Sequence, residues 1–360
     1  MSTPPFPDEA PLKLHLPGDI LAAVPFILGF EPTGSLVAIS LKGSNQRVGL
    51  VMRTDYPCAT DLDLFEHAAL NMVTHLQRDE AQAVILIAYP SNSESIPCLV
   101  DDQALSILEG AALTSNIEVR EALIVADGRW RSTLCQNQAC CPPQGTQVLA
   151  LGESRVAAEV VMRGGPMPFA SEAGLISSLA YQDSVISQSL AKSIEERVSE
   201  LLGMTSTHEI QDIRRLQRVR LDECFNLWCR SKGNFQLFAG QICLLAEVVI
   251  GVQGIMMRDY ALGIHTDQNL GEALTFWRWL LTIAPVGTIA PIACLVAATA
   301  YELGDGALAQ RALDRAFIDS PDYSLANLLR RVFTAGLPPK TFAQMRSDLH
   351  SEISDELMAG

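Results

Sequence analysis

The feature that most constrains the fold of this chain is the uninterrupted apolar run Ala83-Val-Ile-Leu-Ile-Ala88. A short run of this kind is typical of a strand that is buried on both faces of a sheet. Apolar residues at helical spacing precede it in Asp61–Gln77, and a second helical pattern, Asp101–Thr114, leads to the strand-like segment Ile117–Val125. Strands that alternate with helices predict β-α-β crossovers and a mixed, mostly parallel sheet with helices packed on it.

Two further patterns predict antiparallel strands beside that sheet. Ser35–Leu41 and Arg47–Met52 are strand-like and are separated by the turn-forming residues Gly43-Ser-Asn-Gln46, which indicates a hairpin. Asp127-Gly128 is a two-residue turn sequence that commonly closes hairpins. We therefore expect Arg129–Leu134 to run back beside the strand that precedes it.

The strand signals stop before the middle of the chain. Gly164-Gly-Pro-Met-Pro168 reads as a linker, and the residues after it carry only helical patterns. This divides the chain into an α/β domain at residues 12–168 and an all-α domain at residues 169–360. The Pro-rich residues 1–11 predict a flexible tail.

The end of the second domain predicts a helical hairpin. Two helical patterns, Pro291–Leu303 and Ala307–Phe317, flank Gly304-Asp305-Gly306. Small side chains let such helices approach closely, and their positions resemble those of a tetratricopeptide (TPR) unit at about residues 290–335. These residues are Ala297, Ala309 and Ala316, with Pro321 beyond them.

Composition excludes two classes of partner. The net charge of −15 argues against nucleic-acid binding, because phosphate contacts need clustered Lys and Arg. The uncharged stretch Trp279–Tyr301 is long enough to span a bilayer, but Pro285, Gly287 and Pro291 interrupt it, which indicates a buried helix pair and no membrane partner. The N-terminal residues lack the pattern of a signal peptide, so we expect a cytoplasmic protein with reduced cysteines.

Three motifs resemble those of the DUF4192 family, actinobacterial proteins of unknown function. They are Leu16-Pro-Gly-Asp-Ile through Gly34-Ser-Leu-Val37, Arg129-Trp-Arg-Ser through Cys140-Cys-Pro-Pro-Gln-Gly145, and Gly304-Asp-Gly-Ala-Leu-Ala through Pro321-Asp-Tyr-Ser-Leu-Ala326. The resemblance spans most of the chain and implies the same pairing of domains and a bacterial, cytoplasmic setting. It assigns no catalytic residue.

The cysteine loop, residues 135–145, holds three of the nine cysteines: Cys135, Cys140 and Cys141. They offer three soft ligands, whereas structural zinc takes four, and no histidine lies near them in sequence. The alternatives are a structural zinc site, a redox-active or reactive thiol, and a packed, reduced loop. The spacing favours the packed loop, so structural zinc is less favoured than no cofactor.

A second candidate site follows from the expected topology. In open α/β sheets, ligands bind outside the carboxyl ends of the strands. Arg53 could grip a carboxylate or phosphate, with Asp55 as its orienting group or as a base, but an ion pair at a strand end is the favoured alternative. The candidate ligand-binding residues at this edge are Glu31, Ser35, Arg53, Asp55, Ser91, Asp127 and Arg129.

These observations favour a non-catalytic interaction or regulatory protein, whose helical half binds a protein partner or a second copy of the chain. One alternative is an enzyme that acts on a small anionic substrate at the edge around Arg53 and Asp55. The spacing shows no nucleophile–base pair for such an enzyme. The other alternative is a thiol or metal sensor that uses Cys135, Cys140 and Cys141.

Overall fold

The structure is a computed structural model that describes residues 14, 16–58, 61–90, 102–202, 207–232 and 234–359. The chain forms two compact units, Met1–Glu172 and Ala173–Gly360. The predicted tail, residues 1–11, lies outside the described residues, as does Ser91.

The first unit is a mixed sheet with helices. Its strands follow the order β2-β1-β3-β4-β5-β6 across the sheet. The elements are α1 (Pro17–Leu28), β1 (Ser35–Lys42), β2 (Arg47–Asp55), α2 (Leu62–Arg78), β3 (Ala83–Tyr89), α3 (Asp102–Thr114), β4 (Glu118–Ala126), β5 (Arg129–Ser132), β6 (Thr146–Gln147) and α4 (Arg155–Met162).

The prediction of a mostly parallel sheet was wrong. In the sheet of described strands, only β3 and β4 pair in parallel, and the other neighbouring strands are antiparallel. The helix α2 does connect two strands of the same direction, β2 and β3, but β1 lies between them and pairs with both. Periodicity identifies a strand but not its neighbour, so the position of β1 between β2 and β3 had no signature in the sequence.

The apolar run of β3 lies in the core of the first unit. All seven residues of β3 are buried, which confirms the prediction of a buried strand. Leu36, Leu86 and Ile124 of neighbouring strands pack against Leu76 of α2 and Leu108 of α3. Burial of each such side chain contributes about 1.5–3 kcal/mol.

Asp79, just after α2, fastens the β1–β2 hairpin to the end of that helix. Its Oδ2 accepts hydrogen bonds from Ser40 Oγ at 2.7 Å and from the Leu50 amide at 2.8 Å, and its Oδ1 lies 3.0 Å from Lys42 Nζ. Burial tends to raise the pKa of Asp79, but these bonds outweigh it and lower the pKa. A Cβ at Gly49 would lie 2.4 Å from the same Oδ2, so the hairpin needs glycine at that position.

The second unit is helical, and its described residues contain no strand. α5 (Glu172–Ser177) lies at the boundary between the units. The following helices are α6 (Val185–Leu201), α7 (Thr207–Ser231), α8 (Ile242–Gly251), α9 (Ile255–Leu262), α10 (Leu270–Ile283), α11 (Ile289–Glu302), α12 (Gly306–Asp319), α13 (Ser324–Thr334) and α14 (Pro339–Ala359).

The uncharged stretch Trp279–Tyr301 is divided between α10 and α11, as the interruption at Pro285 and Gly287 predicted. Asp319, the last residue of α12, caps the N-terminus of the neighbouring helix α11. Its carboxylate accepts hydrogen bonds from the amides of Ile289 and Ala290, both at 3.0 Å. In the part of the chain that the structure describes, no helix has the length and apolar character that crossing a membrane requires.

Candidate functional site

The cysteine loop begins at the end of the β4–β5 hairpin. Asp127 and Gly128 both have positive φ, 50° and 70°, as a tight two-residue turn requires, so the chain reverses there as predicted. Ser132, the last residue of β5, then redirects it. Its Oγ donates to Glu121 Oε1 at 2.6 Å and accepts from the Cys135 amide at 3.1 Å. This hydroxyl therefore fixes the backbone at Cys135 to β4.

Asn137 folds the loop back over Cys135. Its carbonyl oxygen accepts hydrogen bonds from the amides of Cys140, at 3.2 Å, and Cys141, at 2.9 Å. Its side-chain Oδ1 accepts from the Ala139 amide at 2.9 Å, an Asx turn that fixes the backbone between the cysteines. As a result, the side chains of Cys135 and Cys140, five positions apart in sequence, come together.

The three cysteines, which we call the cysteine cluster, have their Sγ atoms within 4.8 Å of one another. The Sγ atoms of Cys135 and Cys140 are 3.4 Å apart. Cys135 and Cys141 are half-buried and Cys140 is exposed. Among the residues that the structure describes, this is the one group of at least three Cys, His, Asp or Glu side chains placed to hold a single ion.

Two thiols of the cluster, Cys135 and Cys141, have pKa values shifted in opposite directions. A hydrogen bond from the Asn137 backbone, followed by hydrogen bonds with Cys141 and Cys140, lowers the pKa of Cys135. Burial, followed by hydrogen bonding to Cys135 and Cys140, raises the pKa of Cys141. The thiolate of Cys135 is favoured by the donors around it, and a second negative charge at Cys141 is opposed.

The far side of the loop is tied back to the sheet. Gly145 adopts φ 73° and donates its amide to the Pro142 carbonyl at 2.8 Å, which closes the turn at Pro142-Pro143. Arg129 Nη1 donates to the Gly145 carbonyl at 2.9 Å, and β6 pairs with β5 through Arg129 and Trp130. Arg129, predicted as a ligand-binding residue, thus braces the cysteine loop.

A cleft of about 460 Å³ lies between α3 and the cysteine loop. Its size falls within the range of sites for small molecules. Thr133 Oγ1 lies 3.4 Å from Glu109 Oε1 at its wall. The cluster members Cys135 and Cys141 line the cleft, and its other polar side chains are Ser106, Glu109, Arg131, Ser132, Thr133, Gln136 and Gln138.

The strand ends around Arg53 lie together, at the margin of the sheet formed by the carboxyl ends of β2, β3 and β4. Ser35 is opposite both Asp55 and Tyr89, and Ala126 is opposite Arg129. Asp127 lies in the exposed turn at this edge, while Glu31 is exposed and donates its amide to the Phe169 carbonyl. The seventh candidate, Ser91, is not described.

Protein groups surround the guanidinium of Arg53. Its Nη1 lies 2.9 Å from Asp55 Oδ1, its Nη2 lies 3.1 Å from Glu172 Oε2, and its Nε donates to Ser35 Oγ at 2.9 Å. The guanidinium also lies over the ring of Phe30, 5.9 Å from its centroid. The arrangement has the features of an ion-pair network that joins β1, β2 and the segment at Glu172.

Several residues that build these sites were missed at the level of sequence. Asn137, between the cysteines, is a common Asx-turn residue and could have been identified from its type and position. Glu109, Glu121 and Glu172 had no such signal, because only the tertiary fold brings them to Thr133, Ser132 and Arg53.

The first unit is thus a mixed sheet with helices that carries a three-cysteine cluster, and the described residues of the second unit are helical. Over residues 17–340 the chain matches the family described as "Domain of unknown function (DUF4192)". The protein therefore belongs to the DUF4192 family, which confirms the resemblance of its motifs. Comparisons with curated proteins and with solved structures give no match.

Proposed function

We propose that this protein is a metal-responsive regulatory protein, in which the cysteine cluster binds one thiophilic ion of the zinc class. The observation that supports this most is the approach of all three Sγ atoms to within 4.8 Å of one another. Sulfurs held at about 2.3 Å from a tetrahedral zinc ion are about 3.8 Å apart. The 3.4 Å contact between Cys135 and Cys140 and the 4.8 Å limit bracket that separation.

The donor set determines the class of ion. Thiolates are soft ligands that select zinc, copper(I) and related ions, whereas magnesium and calcium prefer oxygen ligands. Three protein ligands leave the fourth position of a tetrahedral ion open, as in zinc sites that exchange a water or a substrate. Because Cys135 and Cys141 line the cleft, an ion bound by the cluster would lie beside a space large enough for a small molecule.

Protein purified without a chelator, and then saturated with zinc, is expected to hold one ion per chain. Native mass spectrometry gives the stoichiometry, and cobalt substitution gives the thiolate-to-metal absorption that identifies sulfur ligands. The triple variant Cys135→Ser, Cys140→Ser, Cys141→Ser is expected to bind none. Each replacement removes a thiolate but keeps the size of the side chain.

The matched control for metal binding is Cys243→Ser, because Cys243 is an exposed cysteine on α8, in the other unit. This variant should keep one ion per chain with unchanged cobalt absorption. Wild-type protein that binds no zinc, or a triple variant that still binds it with thiolate absorption, would contradict the proposal.

A second candidate function, self-association of a TPR-like helical unit, is supported by a different observation. Ala297, Ala309 and Ala316 are completely buried, so small side chains allow α11 and α12 to pack closely. Near this hairpin, Val286 is 84% exposed and Ile318 is 73% exposed. They are neighbours, because the Gly287 amide donates to Asp319 Oδ1 at 2.7 Å. We infer that this apolar patch binds a second copy of the chain.

Sedimentation velocity of the full chain tests self-association. The mean mass is expected to rise with concentration above that of the 39.1 kDa chain. The double variant Val286→Asp, Ile318→Asp should remain a monomer, because a buried carboxylate disfavours an apolar contact. Val185→Asp, at an 80% exposed position on α6, is the control and should associate like the wild type. A wild-type chain that stays monomeric at all concentrations would exclude this candidate.

A further inference from the structure

We propose that Cys135 and Cys140 are an oxidation site, at which a hydroperoxide converts the two thiols into a reversible disulfide. The part of this inference that concerns metal release depends on the proposed function, because it takes the same two sulfurs as ligands. The disulfide itself depends only on the geometry of the loop.

The loop favours one pairing among the three cysteines. Cys135 Sγ and Cys140 Sγ are already in contact at 3.4 Å. Cys140 and Cys141 are adjacent, so their Cα atoms are about 3.8 Å apart, below the range of about 4.4–6.8 Å in which disulfides form without strain. Cys141 is half-buried and lines the cleft, whereas Cys140 is exposed, so Cys140 is the more accessible partner for Cys135.

The remaining movement is small. A disulfide has a sulfur–sulfur distance of about 2.05 Å, so the two sulfurs must approach by about 1.4 Å. Gln136, Asn137, Gln138 and Ala139, which connect the two cysteines, are all exposed. No buried packing opposes the shift within that segment, and the exposed Cys140 gives an oxidant direct access to the pair.

The reaction balances with hydrogen peroxide as the oxidant. One thiolate sulfur attacks a peroxide oxygen, the O–O bond breaks, and a sulfenic acid forms while the released hydroxide takes a proton to become water. The second thiolate then attacks the sulfenic sulfur, the S–O bond breaks, and a second water leaves as the S–S bond forms. Two thiols and one peroxide give one disulfide and two waters. A dithiol reductant reverses the product by exchange.

The disulfide removes two of the three donors of the proposed metal site. Thiolates, not disulfide sulfurs, are the metal ligands, so Cys141 alone remains to hold the ion. One thiolate is not enough to keep zinc in a tetrahedral site. Oxidation therefore releases the metal. The oxidised loop can bind the metal again only after the disulfide has been reduced.

The test treats metal-free protein with hydrogen peroxide and maps its disulfides by mass spectrometry without reduction. Wild type and Cys141→Ser should both contain the Cys135–Cys140 linkage, with a loss of two hydrogens that dithiothreitol reverses. Cys135→Ser and Cys140→Ser should lack it. A disulfide between Cys141 and either Cys135 or Cys140 would overturn the inference. Disulfides between chains, or sulfinic acid without a disulfide, would overturn it as well.

A second measurement follows zinc release from the loaded wild-type protein with a coloured chelator. One equivalent of zinc should appear for each disulfide formed, and Cys243→Ser should behave identically. Zinc that stays bound after the disulfide has formed would overturn the release step. If the protein binds no zinc but still forms the disulfide, the proposed function fails and the oxidation site stands. If zinc binds but no disulfide forms, the proposed function stands and the oxidation site fails.

Discussion

Replacing Arg346 with methionine is expected to destabilise the helical unit by about 3–5 kcal/mol, because it leaves a buried carboxylate without its partner. Arg346 lies on α14, and its guanidinium binds Glu302 of α11 through Nε at 2.8 Å and Nη2 at 3.1 Å. Both side chains are buried. His265 is also buried, with its Nε2 3.4 Å from the same carboxylate, and it cannot replace the second bond of the guanidinium.

Urea denaturation followed by tryptophan fluorescence reports this change, because Trp228, Trp277 and Trp279 all lie in the helical unit. Arg220→Met is the matched control. Arg220 makes a 2.8 Å ion pair with Glu223 at the surface, and exposed pairs contribute about 0–1 kcal/mol. A loss no larger for Arg346→Met than for Arg220→Met would show that the buried pair does not hold α14 in place.

The pH dependence gives an independent check of the same pair. Burial tends to raise the pKa of Glu302, but hydrogen bonds from His265 and Arg346 outweigh it and lower the pKa. A carboxyl with a lowered pKa in the folded state contributes fully above its unfolded value of about 4.3 and loses this contribution as the pH falls. Without Arg346, burial is the larger influence on the Glu302 carboxyl and favours its neutral form in the folded protein. The stability gap between wild type and Arg346→Met should therefore narrow from about pH 7 to about pH 4.

Trp228→Ala is expected to cost about 3–5 kcal/mol, the range for removing a large buried aromatic side chain. Trp228 is 1% exposed. Its ring centroid lies 5.3 Å from those of Phe238 and Trp279 and 5.4 Å from that of Phe276. Its Nε1 lies 3.3 Å from Thr275 Oγ1. The substitution thus leaves a cavity between α7, α10 and the segment at Phe238.

Phe235 provides the control within the same aromatic cluster, because its ring packs on Trp228 at 5.5 Å and is 49% exposed. Phe235→Ala should cost about 1 kcal/mol, because about half of this residue is already in contact with solvent. Far-ultraviolet circular dichroism is the measurement, because Trp228→Ala also removes a fluorophore. Similar losses for the two variants would mean that Trp228 is not the centre of the packing.

Several elements could be predicted because local patterns specify them. The run at β3, the Asp127-Gly128 turn and the break between α10 and α11 each depend on a few adjacent residues whose periodicity or backbone preference is distinctive. Ser154, a residue type that commonly caps helices, accepts a hydrogen bond from the Ala157 amide at 2.9 Å at the start of α4. Such features are independent of the rest of the chain.

The candidate sites depended on the fold to different degrees. The sequence identified all three cysteines but favoured a packed loop, since their spacing and the missing fourth ligand argued against a metal. The Asn137 turn and the Ser132 hydroxyl bring the three sulfurs together, which makes the metal alternative the better supported proposal. At Arg53, the sequence identified Asp55 as a partner, while Glu172 came from a segment distant in sequence.

The sequence by itself determined the positions of the main strands, the helical character of the second half, and the family to which the chain belongs. Only the tertiary structure decided the pairing of β1 between β2 and β3, the buried contact of Arg346 with Glu302, and the closeness of the three thiols. The physical reason is the range of the interactions. Backbone preference and hydrophobic periodicity act over a few residues, whereas strand neighbours and buried ion pairs are selected by the packing of the whole unit.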